Sequence, residues 1–174
     1  MVDDAPEPAT EGHAERWSWL DPGSQVAFSN DTETRIVGNS SVLAHVEPYS
    51  GGRVSLLYRP GENENRSLTG KTRLVFWIRA INENLPAWQS TNPVVTLYES
   101  TKSFARLTPT VDLMSQRPNN EEREGWTDFT VPLAGDQQWK LQGSVPRSLE
   151  SLTIGFDSWG APPLRIWIDG LSFH

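Results

Sequence analysis

The chain has 174 residues, with 22 acidic and 15 basic side chains, a formal charge of -7 and no cysteine. That length suits one domain of ordinary size, whose core needs neither metal nor cross-link for stability. The charge has the wrong sign for nucleic acid or an anionic membrane, and the missing thiols exclude disulfides, thiol catalysis and zinc held by sulfur.

Residues 1-15, MVDDAPEPATEGHAE, combine acidic residues, Ala, Pro and Gly with almost nothing to bury, which predicts a flexible acidic tail or linker ahead of one domain over 16-174. The start is acidic and proline-bearing, unlike a secretory leader. The longest uninterrupted apolar run, Leu74 to Ile78, is far short of the roughly 20 residues that cross a bilayer. Beyond the tail, short apolar or alternating runs are broken by turn residues, with no amphipathic helix. They predict an all-β chain of about nine strands: 25-30, 41-46, 53-59, 72-80, 94-99, 104-108, 126-131, 151-156 and 164-173. Stretches rich in Asn, Gly, Pro and charge, such as PGENENRSLTG and QRPNNEEREG, separate them as loops.

Period-2 alternation divides each strand into two faces. Leu74, Phe76 and Ile78 share one face, while Arg73, Trp77 and Arg79 share the other. Likewise Trp167 falls beside Arg165 and Asp169, and Trp126 beside Asp128 and Thr130. Three strands thus put one Trp each on a face that also bears charge, and Tyr98 and Phe104 are expected to continue it. Indole rings stack on the C-H faces of sugars while flanking polar groups meet the hydroxyls, so the eight Trp point to a glycan platform. The candidate ligand-binding residues are Trp77, Arg73, Arg79, Tyr98, Trp126, Asp128, Trp167 and the loop residue Trp88. The Arg residues tilt the ligand towards an acidic or sulfated polysaccharide. For any single Trp, the competing reading is a half-buried sheet residue or a lid on the sandwich end.

Catalysis has little to stand on. The three histidines, His13, His45 and His174, assemble no triad or three-His metal site. Glu62 with Glu64, and Glu121, Glu122 and Glu124, fall in loops and read as solvated charge. Asp169, a carboxylate inside the apolar run IWIDGLSF, must be paired, hydrogen-bonded or bound to a metal.

The stretch RIVGNSSVLAHV, then GWTDFTVPL, then SLESLTIGFDSWGAPPLRIWIDGLSF together resemble the galactose-binding-like jelly-roll carbohydrate-binding modules of polysaccharide-degrading enzymes. The resemblance rests on the order of a Gly-x-x-Ser turn, a Trp-x-x-Phe strand ending in Pro-Leu, and a terminal strand with an Asp-Gly pair. It implies a jelly-roll β-sandwich of two antiparallel sheets that binds a polysaccharide or oligosaccharide without cleaving it. It also implies a monomeric module of a larger secreted or cell-surface protein. By the same resemblance a structural calcium is expected at Asp169 and the backbone of Asn39, with Asp31 as a further ligand. The competing functions are a protein-interaction or cell-surface sandwich, and a small jelly-roll hydrolase or lyase with ionisable residues clustered in a cleft.

Overall fold

The structure, a computed structural model, describes residues 13-20, 23, 25-47, 52-82, 93-100, 102-111, 113, 125-158 and 164-174. A single 3-10 turn, Ala14–Arg16, precedes eleven strands. These are β1 (Trp17–Trp19), β2 (Val26–Asp31), β3 (Ser41–Val46), β4 (Gly52–Tyr58), β5 (Arg73–Asn82), β6 (Val94–Tyr98), β7 (Phe104–Pro109), β8 (Thr127–Pro132), β9 (Trp139–Gly143), β10 (Ser151–Ser158) and β11 (Leu164–Phe173). All nine expected strands are present. The two that alternation missed, β1 and β9, have three and five residues, too short for a period to show.

The strands form two antiparallel sheets, one of six in the order β1-β4-β10-β6-β7-β9 and one of five in the order β2-β3-β11-β5-β8. Together they make a jelly-roll β-sandwich. Each sheet turns one side inward: Leu56, Val95, Leu97, Leu107, Leu152, Ile154 and Phe156 from the first meet Val42, Leu74, Phe76, Ile78, Phe129, Ile166 and Ile168 from the second. Phe76 and Phe129 are cross-strand partners, their rings 5.3 Å apart and nearly parallel. Truncating either to Ala would cost about 3 to 5 kcal/mol in such a core. Trp17 closes one open side, its ring 5.3 Å from Tyr58 of its own sheet and 6.5 Å from Phe28 of the other.

Two glycines set geometry that matters below. Gly170 has φ 61° at an irregularity in the β11–β5 register between Asp169 and Ser172. The extra residue shifts the phase of β11, so that Ile166 and Ile168 point inward and so does Leu171. A Cβ at Gly170 would lie 3.2 Å from both Trp77 Cδ1 and Val37 Cγ2, so the β2–β3 loop packs directly over the bulge. At Gly143, with φ 84°, a Cβ would sit 2.3 Å from the carbonyl oxygen of Phe104. Only glycine lets β9 close against β7 there.

Candidate functional site

The outer side of the six-stranded sheet carries an unbroken row across all six strands. Its residues are Ser18, Leu57, Thr153, Thr96, Arg106 and Gln142, each the register partner of the next. The row faces away from the core because Leu152, Ile154, Val95 and Leu97, the chain neighbours of its central threonines, face into it. Even so, Thr96 is 3% and Thr153 5% exposed. Side chains that point outward yet see little solvent lie recessed below their surroundings, so this face has a floor of short polar groups.

Longer side chains stand beside that floor. Tyr98 and Phe104 are cross-strand partners with rings 6.3 Å apart, and the Arg106 guanidinium lies 5.6 Å from the Phe104 centroid. Arg106 also donates from Nε to the Thr96 hydroxyl at 3.4 Å. The ring ties the guanidinium in place, which fixes its donors at low entropic cost. Six strands at roughly 4.8 Å spacing make this face about 29 Å across, counting the edge strands in full, the span of an oligosaccharide. It offers ring faces, hydroxyls and one oriented cation to a ligand with the same alternation of apolar faces and hydroxyls.

The outer side of the five-stranded sheet holds most of the residues singled out from the sequence. Trp77 pairs with Asp169 on one side and Asp128 on the other, and Arg79 pairs with Trp167. Arg73, on the same side of β5, pairs with Pro132 at the end of the strand. Trp167 is only 4% exposed. The guanidinium of Arg79 lies 5.0 Å and that of Arg165 5.4 Å from its ring centroid, and its indole N–H donates to Asp31 Oδ2 at 2.8 Å. Trp126, ahead of β8, is 2% exposed. The rings of Trp126 and Trp167 thus have little face left for a sugar, and two of the three arginines that tilted the ligand towards an anion, Arg79 and Arg165, already cover Trp167. Trp77 is half-buried, its ring edge against Gly170. Trp88 lies outside the described residues.

One expectation is corrected by the topology. Tyr98 and Phe104 do not continue the Trp face, because β6 and β7 belong to the six-stranded sheet and β5, β8 and β11 to the other. Alternation reports which residues share a side of one strand, and cannot report which sheet the strand joins. Thr153 and Gln142 were missed for the same reason, and the row could be drawn only once the register was known. A second correction concerns Glu64. Read as solvated charge, it instead accepts from the Tyr58 hydroxyl at 2.7 Å, from the Gly61 amide at 2.9 Å and from Arg16.

Asp169 is completely buried, held by backbone donors. Its Oδ2 accepts from the amides of Ile36 at 2.7 Å and Val37 at 2.8 Å, and its Oδ1 from that of Gly170 at 2.8 Å. Asp31 Oδ1 accepts from the amides of Glu33 and Thr34. Burial alone raises the Asp31 carboxyl, but the donors from Thr34, Trp167 and Glu33 outweigh it and hold it below its ordinary value of 3.8. These donors compensate both carboxylates without a metal ion, so the burial of Asp169 does not by itself require the calcium expected at Asp169, Asn39 and Asp31. Among the described residues no group of three or more acidic or histidine side chains could hold a metal.

Solved structures with the same architecture are carbohydrate-binding modules or enzymes that contain such a sandwich. The family 11 carbohydrate-binding module of a cellulosomal cellulase from Clostridium thermocellum superposes with a TM-score of 0.60 at 8% identity, over 97% of this chain and 94% of that one. The Clostridium thermocellum family 11 module in complex with a β-1,3-1,4-mixed-linked tetrasaccharide gives 0.57 at 8% identity, over 94% and 91%. An exo-β-agarase gives 0.61 at 8% identity over 97% of this chain, which corresponds to 25% of that enzyme. No protein-family model matches the chain, and no curated protein matches it in sequence. The chain has the jelly-roll sandwich fold of these modules, and at such identities it is the fold that the likeness establishes.

Proposed function

We propose that this chain is a noncatalytic glycan-binding module whose ligand lies across the outer side of the six-stranded sheet. The observation that carries the reading is the recessed row through Thr153, Thr96 and Arg106, with the Tyr98 and Phe104 rings beside it. Family 11 modules of the same fold support it, one of them solved with a tetrasaccharide. A row that crosses six strands suits a polysaccharide chain better than a single sugar. In this reading the module belongs to a secreted or cell-surface protein and brings it to its polysaccharide.

The test is a glycan-array screen of the isolated chain, followed by calorimetric titration of the best ligand against Tyr98→Ala, Phe104→Ala and Trp77→Ala. Loss with the first two and retention with the third places the ligand on the six-stranded sheet. Loss confined to Trp77→Ala moves it to the other sheet, and sugar release by the wild-type chain overturns the noncatalytic reading.

A further inference from the structure

A cavity of about 780 Å3 opens between the β4–β5 loop and the end of β11. It lies within the range of 300 to 1,000 Å3 typical of small-ligand sites. Its lining includes none of the row described above. On the inner side are the apolar groups of Tyr58, Leu68 and Leu171, all at most 5% exposed, with Phe173 beside them. The charged lining groups are Arg16, Glu62, Glu64, Arg66 and Lys71, of which Arg16 is held by Glu64, and Arg66 by Glu150 and the Pro60 carbonyl. The three donors on Glu64 fix its carboxylate in one orientation, with acceptor capacity left over. Lys71 is partly buried, and among the described residues no hydrogen bond or ion pair engages its ammonium group.

We propose that this cavity is a second saccharide site, for one pyranose unit that carries a carboxylate. An apolar floor receives the C-H face of the ring, a fixed carboxylate takes one of its hydroxyls, and the Lys71 ammonium group is completed by an anion. A neutral sugar would leave Lys71 unpaired, and a fatty or purely aromatic ligand would leave Glu64 and Lys71 unanswered. The site stands apart from the sheet face, and its occupancy does not depend on what binds there.

The experiment is an amide-shift NMR titration of the intact chain with methyl β-glucuronide and, separately, methyl β-glucoside. Expected are glucuronide-dependent shifts around Lys71, Leu171 and Ser172, with the glucoside binding at least about tenfold more weakly. Lys71→Met weakens the glucuronide about tenfold while the spectrum stays dispersed, and Lys71→Arg restores part of it. In Tyr98→Ala the cavity shifts persist, so failure of the sheet-face reading and failure of this one are told apart. Equal affinity for the two glycosides, no shifts at the cavity, or indifference to Lys71→Met overturns the proposal.

Discussion

The indole N–H of Trp167 donates to Oδ2 of Asp31 at 2.8 Å, a link between residues 136 apart in sequence. It joins the central strand β11 to the end of the edge strand β2, across β3. On the same side of the sheet, Asp169 holds the amides of Ile36 and Val37. Two carboxylates therefore pin the β2–β3 loop, one at its start and one near its middle. This loop is built as a strut, and that is why the Trp167 ring is structural.

Trp167→Phe keeps an aromatic ring but removes the indole donor and the five-membered half of a buried ring. Denaturant unfolding should show a loss of at least about 1.5 to 3 kcal/mol, the contribution of a hydrogen bond to a charged acceptor, with the lost packing added to it. Because the folded-state carboxyl of Asp31 is held below 3.8, its contribution is present above that value and is lost as pH falls through the lowered one. Asp31→Asn should accordingly flatten the acid limb of the stability curve below about pH 4. An unchanged acid limb in that variant would show that Asp31 contributes nothing to it.

Asp169→Ala removes the acceptor of three amides in a fully buried place. The expected cost is about 3 kcal/mol or more, since orphaned buried donors lose their full desolvation penalty. Asp169→Asn should be nearly as harmful, because its NH2 group would meet amide donors. Wild-type melting temperatures in calcium and in chelator should coincide. A rise with calcium that Asp169→Ala abolishes would establish the metal and show that the loop rearranges to admit it.

Burial pushes the Tyr58 phenol up to about 12, against the opposing pull of Arg16 and Arg66. A raised acid favours the neutral folded form, so the stability it lends is whole below pH 10, its unfolded value, and is lost as pH rises through about 12. One of the three tyrosines should titrate late in phenolate absorbance. Tyr58→Phe should remove that late step and the alkaline loss, and weaken the grip on Glu64. Three tyrosines titrating together near pH 10 would contradict this.

On the proposed binding face, Tyr98→Ala or Phe104→Ala should each weaken an oligosaccharide by about 1 to 3 kcal/mol, roughly tenfold to a hundredfold. Arg106→Ala should cost less and depend on salt if the ligand is charged. Affinities unchanged in all three folded variants would leave this face without a role in binding.

Alternation and turn residues carried the architecture in the sequence. Strands such as Ser41–Val46 and Leu164–Phe173 are long enough for period 2 to show, and a buried side must be apolar wherever the strand pairs. The oddity of Asp169 was legible too, because a carboxylate among Ile168, Leu171 and Phe173 needs donors whatever the fold. What supplies those donors was not, since Ile36 and Val37 are 133 and 132 residues away and only the packed loop brings their amides there. The site escaped for the same reason. Strand order decides that Thr96 and Thr153 are neighbours and that Tyr98 and Trp77 belong to different sheets, and strand order is set by the joint packing of the whole core, which no local period encodes.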